Sequence, residues 1–308
     1  MKPRRAILIA GPTASGKSAL AIEIAERYGG VVINADSMQV YRELRILTAR
    51  PTIEEEGQVP HRLFGFVPAR EAYSVGRYVT DAAAAISEVQ AQGKRPVIVG
   101  GTGLYFKALL EGLSPIPPVP AEVRQHWRGE AERIEPEALH RILAERDAAM
   151  AARLAPGDTQ RIVRALEVLE GTGRSLAHWQ SIRGQGVLRE EETVRLVLLP
   201  EREVLYQRIE ARFDRMIADG VLDEVRALQA LNLAADLPVM TAHGVPALMA
   251  ALAGTMPMAD AIAAAKADTR HYAKRQFTWL RRNMISWTSF DLKQMKTHGG
   301  NLDQFIND

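Results

Sequence analysis

The chain of 308 residues contains no cysteine, which excludes disulfide bonds and thiolate metal sites. Its apolar runs are all far shorter than the roughly 18 residues that a membrane-spanning helix needs. An excess of one charge is also lacking, because 39 basic and 37 acidic side chains leave a formal net charge of +2. Binding to nucleic acid would therefore require a local basic patch. We expect a cytoplasmic protein without membrane contact.

The N-terminal stretch "MKPRRAILIA" places basic residues before apolar ones, as secretory signals do. Its apolar run is too short for a signal, and it leads directly into a glycine-rich motif rather than a cleavage site. We therefore predict that this run is the first buried strand of the fold.

Short apolar runs alternate with helical patterns over the first hundred residues. Runs rich in β-branched residues predict buried strands at Ile7–Ala10, Val31–Ile33 and Val97–Val99. The stretches between them, "KSALAIEIAERYG" and "SVGRYVTDAAAAISEVQAQG", have the apolar spacing and the terminal glycine of helices. Strand–helix–strand repetition of this kind predicts parallel strands joined by right-handed crossovers.

A proline-rich segment then interrupts the alternating pattern. "SPIPPVP", from Ser114 to Pro120, cannot form a regular helix or a central strand and is interpreted as a linker. A charged, helix-forming region follows it, and "TVRLVLLP", from Thr193 to Pro200, is a further strand candidate that would rejoin the first sheet. We therefore expect a sheet-containing core at residues 1–112 and 192–308, with a helical insertion domain at residues 113–191.

A glycine-rich motif, "GPTASGKS", follows the first predicted strand and opens the first predicted helix. Such a loop turns backbone N–H groups toward phosphate oxygens, and the helix adds the positive end of its dipole. Lys17 would supply a point charge and Ser18 a hydroxyl ligand for Mg²⁺. The predicted phosphate-binding loop consists of Gly11, Pro12, Thr13, Ala14, Ser15, Gly16, Lys17 and Ser18. The fold class is thus α/β, a P-loop NTPase-like parallel sheet flanked by helices, with a helical insertion domain.

Polar segments also follow the second and third predicted strands. In an open parallel sheet, ligands bind beyond the carboxyl ends of the strands, so these segments should lie near the phosphate loop. In "INADSMQVYR", Asp36 could bind Mg²⁺, act as a general base or, with Ser37, cap a following helix. In "GGTGLYF", the glycines permit close approach to a ligand or form a turn, and Thr102 offers a hydroxyl. No apolar run ending in Asp-Glu supplies the magnesium and water-activating pair of an ATPase, so the loop specifies phosphate binding without specifying ATP hydrolysis.

A basic segment, "RHYAKRQFTWLRR", lies near the C-terminus. On a helix, one face would carry Ala273, Phe277, Leu280 and Met284, and another would carry Arg270, Lys274 and Arg281. This pattern fits either a solvated face of a core-packed helix or a surface that contacts nucleic-acid phosphates. The solvated face is the commoner case, and the interleaved aromatic residues favour the second interpretation only together with the family resemblance described next.

Six segments resemble, in order, the signature segments of the bacterial tRNA dimethylallyltransferase (IPP transferase) family. They are "GPTASGKS", "INADSMQVYR", "TARPT", "VGGTGLYFKALLEGLSP", "DTQRIVRALEV" and "YAKRQFTWLR". The resemblance spans nearly the entire chain. It implies transfer of a dimethylallyl group from dimethylallyl pyrophosphate to the N6 amine of the adenosine immediately 3′ of the anticodon, in tRNAs that read codons starting with U. It also leads us to expect a monomer that uses Mg²⁺ and binds the anticodon stem-loop.

The same resemblance implies roles for individual residues. The phosphate loop would hold the donor pyrophosphate, with Lys17 as a catalytic cation, Arg212 nearby and Mg²⁺ on Ser18. Asp36 matches the general base, and Thr102 matches a residue near the reacting amine and the bridging oxygen. The positions matched to tRNA contact are Asp36, Ser37, Met38, Gln39, Thr102, Arg124, Gln160, Arg161, Ile162, Val163, Arg164, Lys274, Arg275 and Gln276.

Two segments depart from the family pattern. Arg50 in "TARPT" stands where the family often carries Lys, which keeps the charge but changes its geometry. "MTAHGVPAL", from Met240 to Leu248, lacks the basic residues that many bacterial members carry there. The resemblance therefore carries no tRNA contact over to that segment. His243 could substitute weakly for the missing basic residues, although a structural role is favoured.

Three other functions compete with this one: prenylation of a free adenine nucleotide, phosphoryl transfer from ATP to a small molecule, and non-catalytic RNA binding. The helical insertion and the basic C-terminal segment argue against the first, because a mononucleotide needs neither. The phosphate loop alone is compatible with the other two.

Overall fold

The computed structural model describes residues 5–290 and residue 306. The chain divides into two compact units, Met1–Leu110 with Val187–Asp308, which we call the sheet unit, and Glu111–Gly186, which we call the helical unit. These bounds differ slightly from the 113–191 expected for the insertion. Leu188 belongs to the sheet unit because its side chain is buried in that unit's core and its N–H donates to the carbonyl of Leu109 at 2.9 Å.

The described residues form short strands, many helices and two 3₁₀ turns. The strands are β1 (Ala6–Ala10), β2 (Gly30–Asn34), β3 (His61–Arg62), β4 (Arg95–Gly100), β5 (Thr193–Leu198) and β6 (Thr288–Phe290). The helices are α1 (Lys17–Tyr28), α2 (Ile53–Gln58), α3 (Val75–Ala91), α4 (Gly103–Glu111), α5 (Ala121–Arg133), α6 (Pro136–Arg146), α7 (Ala148–Ala151), α8 (Thr159–Thr172), α9 (Leu176–Ser181), α10 (Arg202–Ala218), α11 (Val221–Gln229), α12 (Val245–Leu252) and α13 (Met258–Asn283). The 3₁₀ turns are Glu190–Glu192 and Pro238–Thr241.

The strands form one parallel sheet in the order β3-β2-β4-β1-β5-β6. Strand β1 lies between β4 and β5, and its Ile9 is opposite Val99 on one side and Leu196 on the other. The predicted α/β fold with a P-loop-like parallel sheet is confirmed. The prediction that the strand beginning at Thr193 rejoins the first sheet is also confirmed. Strands β3 and β6 were not predicted, because two and three residues are too few to show a periodicity.

Both faces of this sheet are buried, which explains why its strands are continuous apolar runs rather than alternating ones. On one face Leu8 and Ile33 pack in the same core as Phe106, and on the other Ile7 packs with Leu20. Successive strand residues point to opposite faces, so each strand contributes to both cores. The helices therefore cover the sheet, and its strand ends are left for binding.

The helical unit has an apolar core of its own. Trp127 of α5, Leu139 of α6, and Ile162 and Leu166 of α8 are all buried in it. This core accounts for the amphipathic pattern of the charged region that the sequence showed there. Among the described residues, no helix of either unit has the length and apolar character needed to cross a membrane.

We predict that Gly100→Ala will destabilise the sheet unit. A Cβ on Gly100 would lie 2.0 Å from the carbonyl oxygen of Ala35, where the chains leaving β2 and β4 cross. Such backbone overlap should lower the free energy of unfolding by about 3 kcal/mol, measured by urea denaturation. Gly57→Ala is the matched control, since a Cβ there meets nothing within 4 Å and should change the stability by less than about 1 kcal/mol. Equal stability of the two variants would contradict the prediction.

Candidate active site

The phosphate loop connects β1 to α1 and ends with a buried lysine. Its backbone is left-handed at Ala14 (φ 62°) and at Gly16 (φ 91°), which produces the turn that a following helix needs. Lys17 is buried at the first position of α1, and its Nζ donates to the carbonyl of Pro12 at 3.3 Å. Burial lowers the pKa of Lys17 to about 8, opposed by the charge of Asp36 and reinforced by that of Arg212. The loop thus holds a desolvated cation.

The loops after β2 and β4 are joined by hydrogen bonds of Thr102. Its N–H donates to the carbonyl of Ala35 at 3.2 Å. Its Oγ1 accepts from the N–H of Ser37 at 3.0 Å and donates to the Ser37 Oγ at 3.3 Å. The two segments that the strand-end argument grouped are therefore in direct contact. Thr102 fixes the backbone beside Asp36.

Gln276 of α13 joins the loops after β1 and β4. This buried side chain accepts from the N–H of Thr13 through Oε1 at 2.8 Å and donates from Nε2 to the carbonyl of Gly101 at 2.9 Å. Both ends of its amide are thus satisfied within the protein. The structure gives Gln276 a positioning role and leaves it no exposed edge for a base.

Asp36 does not cap a helix. The next helix after β2 begins only at Ile53, so the capping interpretation is wrong. Instead, Asp36 Oδ1 accepts from the N–H of Met38 at 3.0 Å in a local turn, and its own N–H donates to Asn34 Oδ1 at 2.8 Å. These bonds leave the carboxylate on the wall of a cavity.

A cavity of about 950 Å³ lies at the carboxyl ends of the strands. Lys17 and Ser18 line it from the phosphate loop, Asp36 from the loop after β2, and His243 and Tyr272 from the C-terminal part of the sheet unit. Burial, and next the charge of Asp36, raise the pKa of Tyr272, so its hydroxyl stays protonated. The cavity therefore brings the phosphate loop and the candidate base together.

Helix α10 supplies three more cations to this cavity. Arg208, Arg212 and Arg215 all line it, at the spacing of one helical face. Arg212 Nη2 donates to Thr13 Oγ1 at 2.6 Å, and burial lowers the pKa of Arg212 to about 10. Only Arg212 was predicted. The spacing of four and three residues between Arg208, Arg212 and Arg215 already indicated in the sequence that all three share one helical face.

The predicted tRNA-contacting residues differ in their exposure. In the sheet unit, Lys274 and Arg275 are exposed on α13. Gln39 Nε2 instead donates hydrogen bonds to the carbonyls of Thr48 and Ala49 at 2.9 and 2.8 Å. Ser37 and Met38 are half-buried.

Within the helical unit, Arg124, Gln160 and Arg161 are exposed. Ile162 and Val163 are buried in that unit's core, so their side chains support α8 rather than offer a contact surface. Arg164 is half-buried and pairs with Glu167 at 3.2 Å.

The residues present fit a magnesium ion held largely by substrate oxygens. Among the described residues, no group of three His, Asp or Glu side chains could hold a metal by itself. Mg²⁺ commonly takes one or two protein oxygens and completes its shell with phosphates and water. Ser18 lines the cavity at the start of α1, next to Lys17 of the phosphate loop. Its hydroxyl is a suitable oxygen donor.

The fold and cavity define a class: an α/β phosphate-binding enzyme with a P-loop after its first strand. The family model described as "IPP transferase" matches residues 39–283, and the one described as "Isopentenyl transferase" matches residues 4–64. The chain therefore belongs to the IPP transferase family of prenyltransferase enzymes.

Curated relatives and solved structures agree with this assignment. Proteins named tRNA dimethylallyltransferase from Nitrobacter hamburgensis and a Bradyrhizobium species are 56% and 58% identical over 92% and 91% of this chain, and 90% and 92% of their own lengths. The tRNA isopentenylpyrophosphate transferase of Bacillus halodurans has a TM-score of 0.68 at 33% identity, covering 99% of this chain and 97% of its own. A eukaryotic dimethylallyltransferase acting on tRNA has a TM-score of 0.82 at 28% identity, covering 99% and 80%.

We predict that pyrophosphate binding weakens as the pH rises through about 8, because burial lowers the pKa of Lys17 to about 8 and its charge is lost above that value. Titration calorimetry with inorganic pyrophosphate at constant ionic strength, between about pH 7 and 9.5, measures this. Lys17→Met should bind more weakly and show only the ionisation of pyrophosphate itself. Parallel pH profiles of the two proteins would contradict the prediction.

Proposed function

We propose that this chain transfers a dimethylallyl group from dimethylallyl pyrophosphate to N6 of the adenosine immediately 3′ of the anticodon, in tRNAs that read codons starting with U. The observation that carries the proposal is the shared cavity of Lys17 in the phosphate loop and Asp36. One wall suits a pyrophosphate donor, and the other offers a carboxylate to an acceptor amine. The names of the curated relatives, and the solved structure of a dimethylallyltransferase acting on tRNA, support the substrate class.

The donor side would stabilise the leaving pyrophosphate. Negative charge grows on the bridging oxygen as the C–O bond breaks, and preorganised donors stabilise such charge most effectively in a desolvated site. The loop N–H groups, Lys17 and Arg212 would take this role, which is supported by the position of Lys17 and Arg212 on the cavity wall and by the bond of Arg212 to Thr13. Mg²⁺, held on the protein side by Ser18, would neutralise further charge on the pyrophosphate oxygens.

The acceptor side must activate a poor nucleophile. The lone pair of an exocyclic adenine amine is delocalised into the ring, so removal of a proton as the N–C bond forms lowers the barrier. Asp36 would accept that proton, and the allylic carbon would exchange its bond to pyrophosphate oxygen for one to nitrogen. Thr102, hydrogen-bonded to Ser37, would keep the base beside the reacting atoms.

The acceptor adenosine would have to leave its stack to enter the cavity, which is the general solution for chemistry on a base. Exposed cations in both units are candidates for phosphate contacts: Lys274 and Arg275 in the sheet unit, and Arg124 and Arg161 in the helical unit. We expect the protein to act as a monomer.

The acceptor distinguishes this function from its competitors. Labelled dimethylallyl pyrophosphate is incubated with tRNA or AMP, and ATP is tested separately as a phosphate donor. Nucleoside analysis of the tRNA should show dimethylallyladenosine, and partial nuclease digestion should place the label in the fragment with the adenosine 3′ of the anticodon. Label in AMP but not in tRNA would refute the proposal.

We predict that Asp36→Asn lowers kcat for tRNA prenylation by about 100- to 10,000-fold, the usual contribution of a general base. Asparagine keeps an Oδ1 that can accept the Met38 N–H, so the loop should be preserved. Single-turnover transfer to tRNA measures the change.

Asp219→Asn is the control for this variant, because Asp219 is an exposed residue on the wall of the same cavity. It removes an equal charge and should keep activity near the wild-type value. Near wild-type transfer by Asp36→Asn would exclude Asp36 as the base.

A further inference from the structure

We propose that Glu224 of α11 is a positioning residue for the acceptor side of the cavity. It acts through the segment from Leu44 to Arg50, which we call the cavity loop. The role in acceptor binding rests on the proposed function, whereas the contact itself is independent of it.

One carboxylate binds three consecutive N–H groups of the cavity loop. Glu224 Oε2 accepts from the N–H of Arg45 and of Ile46, each at 2.7 Å, and Oε1 accepts from the N–H of Leu47 at 2.9 Å. Charge-assisted bonds of this kind are shorter and stronger than neutral ones. The loop has no regular structure here, so the carboxylate replaces the partners that a helix or strand would supply.

The C-terminal part of the cavity loop, from Thr48 to Arg50, is hydrogen-bonded to the segment that follows Asp36. Gln39 Nε2 donates to the carbonyls of Thr48 and Ala49 at 2.9 and 2.8 Å, three residues after Asp36. Arg50 Nη1 donates back to the carbonyls of Tyr41 and Arg42, each at 3.1 Å. Glu224 thus binds the N–H groups of residues 45–47, and the segment that carries the candidate base binds the carbonyls of Thr48 and Ala49.

The cavity loop forms part of the wall. Its residues from Arg45 to Arg50 all line the cavity beside Gln39, and the buried side chains of Leu44 and Leu47 fix it in the core of the sheet unit. Its contacts lead to the segment after β2. The phosphate loop takes its own support from Gln276. Loss of the carboxylate should therefore disturb the acceptor more than the donor.

An amide cannot replace this carboxylate. Glutamine offers one acceptor oxygen and places an NH₂ donor where the second oxygen stood, opposite at least one N–H of Arg45, Ile46 or Leu47. Glu224→Gln therefore breaks the contact with little change in volume. Asp223→Asn is a matched control, since it removes the same charge from the adjacent, exposed position of the first turn of α11.

The test combines amide hydrogen exchange with steady-state kinetics on the full chain. In Glu224→Gln, exchange at the N–H groups of residues 45–47 should accelerate at least tenfold, while exchange in β1 and β4 stays unchanged and shows that the fold is intact. The value of kcat/KM for tRNA should fall at least tenfold, and KM for dimethylallyl pyrophosphate should stay within about twofold. Asp223→Asn should match the wild-type protein in all three readouts.

Unchanged exchange at residues 45–47 in Glu224→Gln would overturn the inference, and so would faster exchange there with unchanged kcat/KM for tRNA. A rise in KM for the donor equal to the loss for tRNA would also reject it, as would the same losses in Asp223→Asn. If the wild-type chain transfers no prenyl group to tRNA, the proposed function fails and the acceptor role of Glu224 falls with it. The exchange data then still show whether Glu224 holds the N–H groups of the cavity loop.

Discussion

The site depends on a hydrogen-bonded junction between strand ends that are far apart in the chain. Gln276 connects the phosphate loop at Thr13 to the loop after β4 at Gly101, and Thr102 connects that second loop to Ser37. Each bond is between groups shielded at least partly from water, where an unmet partner is costly. The parallel sheet brings the three loops to one edge, but these bonds set their separation. The shape of the cavity thus depends on these hydrogen bonds as much as on the sheet.

Burial of positive charge gives this junction its chemistry. Lys17 and Arg212 both lose hydration in the cavity, which lowers the pKa of each, and the charge of Asp36 opposes that effect at both. The same low polarity strengthens their attraction for an entering anion. Under the proposed function, a pyrophosphate would add negative charge beside Lys17 and Arg212, so donor binding and the stabilisation of the leaving group would share one physical origin.

The sequence was sufficient for the parts of the fold that follow local rules. Four strands, the phosphate loop and the convergence of Asp36 with Thr102 came from apolar runs, a spaced motif and the geometry of parallel sheets. The double role of the Gln276 amide and the contact of Glu224 with the cavity loop could not be predicted, because they join residues far apart along the chain. Burial of Ile162 was likewise decided by packing of α8, which a motif match does not report.

The segment from Met240 to Leu248, which contains no Lys or Arg, is held by packing in the sheet unit. Gly244, with φ 96°, starts α12, and Val245 and Leu248 are buried in the core of the sheet unit. Ala242 and His243 line the cavity, and the ring centroids of His243 and Tyr272 are 4.4 Å apart. Burial, followed by the charge of Arg275, lowers the pKa of His243. A neutral imidazole supplies no positive charge there. The cationic surface of the cavity therefore comes from α10, from the phosphate loop, and from Arg45 and Arg50 of the cavity loop.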